Sequence, residues 1–260
     1  MSGRYLITGG GGFIGSHLAE RLVADGHNVV VLDDLSTGRE QNLHALRGNP
    51  NFQLVRDSVE NEQTVGTLMA SCDQVFHLAS AVGVKLVAEE PVRTIRTTIH
   101  GTEVVLEAAN KFGRPALVTS SSEVYGKGAR VPFDEDDDVV MGATRFSRWC
   151  YAYSKGIDEF LALAYHHQYG LPVTIARLFN TVGPRQVGMY GMVLPRFAEA
   201  AVRNAPLQVA RIALKLNVIS HAGTAADVPS AFSHIIKETP VQAAAPIRAH
   251  RKASLLGSHC

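Results

Sequence analysis

The strongest constraint on the fold is a regular alternation of short apolar runs with amphipathic segments of helical length. Runs such as Val29–Leu32 are apolar without a break, which is typical of strands buried on both faces of a parallel sheet. The alternation therefore predicts an α/β fold, a Rossmann-like doubly wound parallel sheet. The predicted strands are Arg4–Thr8, Asn28–Leu32, Phe52–Arg56, Gln74–His77, Ala116–Ser120 and Val173–Arg177. The predicted helices are Phe13–Asp25, Gln63–Ser71, Val92–Phe112, Trp149–Tyr169 and Val193–Arg203.

Composition narrows the class of protein. The chain has 260 residues, of which 46% are hydrophobic, and a formal net charge of +1. That is enough for one core with a small appended lobe. The balanced charge gives no electrostatic reason to expect nucleic acid or an anionic membrane as a partner. No apolar run approaches the roughly 18 residues of a membrane span.

The cysteines and the first residues indicate the compartment. Cys72, Cys150 and Cys260 are scattered, with neither metal-ligand spacing nor a disulfide pattern. The chain enters a predicted strand by Tyr5, which leaves no room for a signal peptide. We therefore expect a cytoplasmic protein without a metal site.

A glycine-rich turn follows the first predicted strand. Gly9, Gly12 and Gly15 have the spacing that permits a tight turn, close approach of a pyrophosphate to the backbone, and close packing of the next helix. Asp33 ends the second strand, where a carboxylate accepts both hydroxyls of a ribose and repels a 2′-phosphate. The pattern predicts dinucleotide binding, with NAD favoured over NADP. Asp57, after the third strand, either contacts the adenine or caps a loop.

A second group of polar residues follows the strand that ends near Ser120. Ser121 and Glu123 come directly after it, and ligands bind at the carboxyl ends of the strands in a doubly wound sheet. Further on, Tyr151 and Lys155 are four residues apart, so on a helix they share one face. An ammonium beside a phenol favours the phenolate. These residues are the candidate reacting centre.

Several stretches together resemble the extended short-chain dehydrogenases/reductases of the nucleotide-sugar epimerase, dehydratase and decarboxylase group. The matching stretches are Gly9–Leu18, Val75–Ala79, Gly101–Thr102, Ser120–Gly126, Tyr151–Lys155, Arg177–Arg185 and Gly191–Phe197. The resemblance covers about residues 3 to 209 and implies an NAD-dependent enzyme that oxidises C4 of a nucleotide sugar transiently.

The resemblance implies roles for individual residues. Tyr151 would be the base on the 4-hydroxyl, Lys155 would hold the nicotinamide ribose and lower the tyrosine pKa, and Ser121 would bond the same hydroxyl. It also implies cofactor contacts from Phe13, Ile14, Leu78 and Ala79. On the substrate side it implies Ser122, Asn180 and Arg185. Asn180 could instead be a turn former, and Arg185 could be paired with a phosphate or solvated.

The reaction subtype stays open at the sequence level. Glu123 lies two residues before Tyr125, where the decarboxylases and dehydratases of the group carry a catalytic glutamate. The run Ala79–Val84 instead looks more like the 4-epimerases. A UDP-sugar is the expected substrate, with a UDP-glucuronate decarboxylase (a lyase) and a UDP-glucose 4-epimerase (an isomerase) as close rivals.

The resemblance ends near Val209. We expect residues 1–180 to form the NAD-binding domain with the catalytic residues, residues 181–209 to begin the nucleotide-sugar lobe, and residues 210–260 to form an atypical tail. The substrate lobe is thus expected to be truncated or altered. One hypothesis is a reading-frame change near Val209, because the codons permitted for Arg211 to Val218 can spell a family-like segment in another frame. The competing explanation is a true variant C-terminus.

Two classes of function follow from these observations. The first is an active enzyme on a nucleotide sugar, which the intact Ser121, Tyr151 and Lys155 favour. The second is a catalytically weak NAD-binding protein or assembly partner, which the altered tail favours. By analogy with relatives that pair through their two long helices, here about Val92–Phe112 and Trp149–Tyr169, we also expect a homodimer.

Overall fold

Six parallel strands form one sheet in the order β3-β2-β1-β4-β5-β6. The computed structural model describes residues 2–81, 87, 89–128, 132–188, 193–203 and 205. The strands are β1 (Arg4–Thr8), β2 (Asn28–Leu32), β3 (Phe52–Val55), β4 (Gln74–His77), β5 (Ala116–Ser121) and β6 (Val173–Leu178). All six predicted strands are confirmed, and no boundary differs from the prediction by more than one residue.

Five helices are covered by the described ranges, and each coincides with a predicted one to within one residue at either end. They are α1 (Phe13–Ala24), α2 (Glu62–Ala70), α3 (Pro91–Phe112), α4 (Cys150–Tyr169) and α5 (Val193–Val202). Proline at the first position starts α3, and glycines in the left-handed conformation, Gly113 and Gly170, end α3 and α4. Three 3-10 segments were not predicted, because they are too short to show a periodic pattern: Glu40–Leu46, Ser122–Tyr125 and Ser147–Trp149.

The core has two layers, one on each face of the sheet. Successive strand residues point to opposite faces, so Leu6 joins one buried cluster while Ile7 joins the other. The first cluster includes Val105 of α3, and the second includes Leu18 of α1. Both faces are therefore covered by helices, which is why the strands are apolar at consecutive positions.

The strand order places a crevice between β1 and β4. The chain runs outward from β1 in one direction through β2 and β3, then returns to β4 on the other side of β1. In such sheets ligands bind outside the carboxyl ends of the strands at this point of reversal. Thr8, Leu32, His77 and Ser121 end their strands at the same edge.

Some sequence predictions fall outside the described residues: the tail 210–260, the second half of Ala79–Val84, and the start of Gly191–Phe197. Within the described ranges, no helix combines the length and the apolar character needed to cross a membrane.

Candidate active site

The turn between β1 and α1 requires its glycines. Gly9 has φ +73°, and a Cβ atom on it would lie 2.6 Å from the backbone nitrogen of Ala79. A Cβ on Gly15 would lie 2.5 Å from the carbonyl oxygen of Gly9. Gly12 is the N-cap of α1 and donates its N–H to the carbonyl of Gly9 (3.2 Å). The predicted tight turn is present, and the N-terminus of α1 faces the crevice with its positive dipole end.

Asp33 holds this turn from the end of β2. Its Oδ2 accepts a hydrogen bond from the N–H of Gly11 (2.7 Å), and its Oδ1 accepts one from the N–H of Leu35 (2.8 Å). Burial raises the pKa of Asp33, the two backbone donors oppose that shift, and neighbouring Asp34 adds to it. Each carboxylate oxygen keeps acceptor capacity for an incoming hydroxyl.

A cleft that is partly open to solvent lies at this edge of the sheet. Five of the predicted cofactor residues line it: Gly9, Asp33, Asp57, Leu78 and Ala79. Gly11 and Gly38 pack close to the Asp33 carboxylate, because a Cβ on either would lie 3.0 Å from it. Its shape, its acidic residue and the adjoining helix N-terminus fit a dinucleotide.

Phe13 and Ile14 are half-buried at the start of α1 and do not form the described wall of this cleft. The Phe13 ring lies 3.0 Å from the position that a Cβ on Gly183 would occupy, so it packs against the loop after β6. Their predicted cofactor contacts remain predictions.

Asp57 caps a loop, which is one of its two predicted roles. Its carboxylate accepts hydrogen bonds from the Thr64 hydroxyl (2.6 Å), the Ser58 N–H (2.7 Å) and the Asn61 amide (2.8 Å). These bonds, led by the one from Thr64, lower its pKa. Asp57 thus ties the loop after β3 to the start of α2 while lining the cleft, and a contact with adenine remains a prediction.

The end of β5 and the start of α4 bring three predicted catalytic residues together. Ser121 caps the 3-10 segment that follows it, accepting the N–H of Glu123 (3.2 Å), and also hydrogen-bonds the phenol of Tyr151. The Glu123 side chain is half exposed, lies 4.0 Å from Nη2 of Arg148, and acts electrostatically on Tyr151. Ser121, Glu123 and Tyr151 are therefore neighbours.

The pKa of Tyr151 is raised overall by its surroundings. Burial raises it, and the negative charges of Asp158 and Glu123 raise it further. Lys155 and the bond with Ser121 lower it, as expected, but burial outweighs both. The predicted effect of Lys155 is therefore present, but the net pKa of Tyr151 is raised because desolvation of the phenolate is the larger effect.

Lys155 makes two hydrogen bonds at the carboxyl end of β5. Its Nζ donates to the Thr119 carbonyl (2.9 Å) and to Oδ2 of Asp158 (3.1 Å), and its side chain is only 2% exposed. An ammonium has three donors, and these two bonds fix its position next to Tyr151. Sequence reasoning missed Asp158, although its spacing of three from Lys155 on a helix was a usable signal.

A second ion pair on α4 supports the region around Ser121. Arg177 of β6 makes a two-pronged bond to Glu159, with Nη2 at 2.7 Å and Nε at 2.9 Å. Its guanidinium also lies over the Tyr125 ring, 4.6 Å from the centroid. Glu159 also accepts a hydrogen bond from Ser120. These contacts connect β5, β6 and α4, and the Glu159 carboxylate is therefore already engaged.

The predicted substrate residues lie at the ends of β5 and β6. Ser122 is half-buried in the 3-10 segment after β5, and Asn180 is exposed two residues beyond β6. Arg185 pairs through Nη2 with Glu20 of α1 at 2.7 Å, and its Nη1 donates to Ser16 (3.2 Å). This ion pair ties the loop after β6 to the cofactor-side helix. A contact between Arg185 and a phosphate remains a prediction.

Comparison with known proteins finds relatives among enzymes that act on nucleotide sugars. A family model described as GDP-mannose 4,6 dehydratase matches residues 6–238. The chain is 45% identical over 210 residues to a UDP-N-acetyl-alpha-D-glucosaminuronate decarboxylase of Bacillus cytotoxicus, covering 80% of this chain and 64% of that protein. It therefore spans slightly less than two thirds of the length of that relative.

Two solved structures share the fold. A UDP-N-acetylglucosamine 4-epimerase from Methanobrevibacter ruminantium, in complex with UDP-N-acetylmuramic acid, has a TM-score of 0.72 at 28% identity, over 78% of this chain and 64% of that one. A UDP-glucose 4-epimerase from Thermus thermophilus, in complex with NAD, has a TM-score of 0.68 at 30% identity, over the same shares of the two chains. These similarities confirm the predicted Rossmann-like fold.

Proposed function

Because this chain belongs to the nucleotide-sugar group of the extended short-chain dehydrogenases/reductases, we propose that it uses NAD to oxidise C4 of a UDP-sugar transiently. The observation that carries the proposal is the group formed by Ser121, Tyr151 and Lys155 at the carboxyl end of β5. The strands that lead to the cleft and to Ser121, β4 and β5, are neighbours in the sheet.

The cofactor side of the proposal uses residues of the glycine turn. The N–H groups at the start of α1 would hold the pyrophosphate, and Asp33 would accept the hydroxyls of one ribose. Bound NAD would supply reversible hydride acceptance from the sugar carbon. The carboxylate of Asp33 would repel a 2′-phosphate, which favours NAD over NADP.

The proton chemistry belongs to Tyr151. Its phenolate would take the proton of the 4-hydroxyl, while Ser121 hydrogen-bonds the reacting groups and the Lys155 ammonium stabilises the phenolate. The pKa of Tyr151 is raised by burial in the protein alone, so the nearby positive charge of Lys155 is essential at neutral pH.

For the subtype, we propose decarboxylation of a UDP-uronic acid. Glu123 supports decarboxylation. It lies in the 3-10 segment after β5, and its carboxylate acts electrostatically on Tyr151 of α4. The similarity to a decarboxylase across four fifths of the chain points the same way. Oxidation at C4 places a ketone β to the carboxylate on C5. The C5–C6 bond can then break with loss of CO2, its electron pair passes into the C4 carbonyl as an enolate, and C5 takes up a proton.

The test is a panel of UDP-glucuronate, UDP-N-acetylglucosaminuronate and UDP-glucose, with products separated by chromatography and CO2 measured. We expect CO2 from a uronate, and a loss of at least about 100-fold in Tyr151→Phe. Glu123→Gln should slow decarboxylation while NAD binding stays unchanged. Interconversion of UDP-glucose and UDP-galactose without CO2 release would favour the 4-epimerase instead. Tight NAD binding without turnover of any substrate would contradict the enzymatic proposal.

We also propose a homodimer formed through α3 and α4, which pack side by side. Their outward residues include large apolar side chains at helical spacing, with Phe160 and Val92 each 77% exposed and Ile157 45% exposed. Several large exposed apolar side chains on two adjacent helices are typical of an interface.

The domain division and the compartment remain proposals. Residues 181–209 would begin the nucleotide-sugar lobe, and sequencing of the coding DNA around Val209 would test the reading-frame hypothesis for residues 210–260. The thiols of Cys72 and Cys150 are free within the described structure, which is compatible with the proposed reducing, cytoplasmic setting.

A further inference from the structure

Lys155 and Asp158 form an ion pair in the interior of the protein. The Lys155 side chain is 2% exposed and the Asp158 side chain 0% exposed, and 3.1 Å separates Nζ from Oδ2. The other carboxylate oxygen, Oδ1, makes no hydrogen bond to any described residue. Burying two charges costs several kcal/mol per ion, so each group depends on the other to remain charged.

In the described part of the chain, the groups around the pair offer no other counter-charge. On α4, Tyr151 is a neutral phenol, since burial raises its pKa, and Glu159 is engaged by Arg177. On the neighbouring elements, β5 contributes only the Thr119 carbonyl and α3 the Thr102 hydroxyl.

His77 of β4 also faces Lys155, and it is neutral. Burial and the charge of Lys155 lower the pKa of His77 to about 3. Its two ring nitrogens are hydrogen-bonded to the hydroxyls of Thr8 (2.7 Å) and Thr102 (3.0 Å). Among the described residues, Asp158 is therefore the carboxylate that balances Lys155.

We propose that Asp158 is the positioning residue that keeps Lys155 charged and fixed at the carboxyl end of β5. The catalytic meaning of this pairing rests on the proposed function, but the pairing itself does not. Asp158 acts through Lys155 and touches no reacting atom. The negative charge of Asp158 opposes ionisation of Tyr151, but the Lys155 ammonium that it preserves has the larger, opposite effect on the same phenol.

The proposal predicts opposite movements of two titrations. In Asp158→Asn, the buried Lys155 ammonium should lose its proton more easily, because no carboxylate remains to offset its desolvation. Tyr151 then loses its stabilising cation. We expect the midpoint of the Lys155 titration to move to lower pH by at least about one pH unit, and that of Tyr151 to move to higher pH.

The measurement is NMR of the full chain labelled at the lysine ε-carbons and the tyrosine ζ-carbons. Signals are assigned with Lys155→Met and Tyr151→Phe. The matched control is Asp136→Asn, which removes one carboxylate from an exposed loop and should move neither midpoint. Asp158→Glu keeps a carboxylate, so both midpoints should lie closer to their wild-type pH than they do in Asp158→Asn.

A Lys155 midpoint that stays at its wild-type pH in Asp158→Asn would overturn the proposal, and so would a Tyr151 midpoint that stays or falls. If Asp158→Asn does not fold, wild-type protein labelled at the aspartate γ-carbons decides. A charged Asp158 near neutral pH supports the pairing, and a protonated one refutes it. None of these readouts needs turnover, so they are independent of the substrate panel.

Discussion

Oδ2 of Asp33 lies 2.7 Å from the backbone nitrogen of Gly11, so the end of β2 is tied directly to the glycine turn after β1. The other oxygen of the same carboxylate accepts the N–H of Leu35. One side chain therefore both shapes the turn and presents negative charge to the cleft. This links the predicted cofactor preference to the local stability of the turn.

Replacing Asp33 with Asn should weaken NAD binding by about 10- to 100-fold, because hydrogen bonds to a charged group are worth about 1.5–3 kcal/mol. Discrimination against NADP should fall as well, since the repelling charge is gone. Titration calorimetry with both cofactors measures this. Asp136→Asn is the matched control, because it removes the same charge from an exposed loop that does not line the cleft. Unchanged NAD affinity in Asp33→Asn would show that the carboxylate does not face the ribose.

Two glycines with similar backbone angles should respond differently to alanine. Gly26 has φ +84° with open space around it, so Gly26→Ala should cost only the left-handed penalty of about 1–2 kcal/mol. Gly9 has φ +73°, and its Cβ would also strike the backbone at Ala79. Gly9→Ala should lose about 1–3 kcal/mol more in the free energy of unfolding, together with NAD binding. Denaturant unfolding tests this, and equal losses would argue against the close approach.

The free energy of unfolding should decrease as the pH is lowered, and His77 should account for part of this decrease. Its pKa is about 3 in the folded protein and near 6.5 when unfolded, so the unfolded chain binds the extra proton between these values. This residue alone should cost about 1.4 kcal/mol for each pH unit below 6.5 until about pH 3. We expect the difference in unfolding free energy between wild type and His77→Gln to shrink as the pH falls through this window.

The control for His77 is His44→Gln, at an exposed position, which should leave the pH dependence of stability unchanged. A constant difference between wild type and His77→Gln from pH 7 to pH 4 would contradict the neutral, buried state of His77.

A charge in the middle of the apolar face of α4 should separate the proposed dimer. Phe160→Glu places a carboxylate where two copies would bury it, and an unpaired buried charge is costly. We expect the variant to be a monomer by light scattering at micromolar concentration, while the wild type is a dimer. Phe146→Glu, at another half-exposed phenylalanine outside α3 and α4, should remain a dimer. A monomeric wild type would refute the interface.

The local sequence pattern was sufficient to predict much of the fold. Strand and helix boundaries follow from apolar periodicity and from stop signals such as Gly113 and Gly170, which act on the chain nearby. The 3-10 segment at Ser122–Tyr125 was not predicted, because it is a single turn held by the Ser121 side chain. The ion pair of Arg185 with Glu20 also escaped it, since those residues are 165 positions apart.

The sequence alone determined the parallel sheet, the glycine turn with Asp33, and the shared face of Tyr151 and Lys155, because each depends on spacing within one element or between adjacent ones. Only the tertiary structure decided that the pKa of Tyr151 is raised and that Asp158 is the partner of Lys155. Both depend on burial, to which every surrounding element contributes, and no short stretch of sequence records that sum.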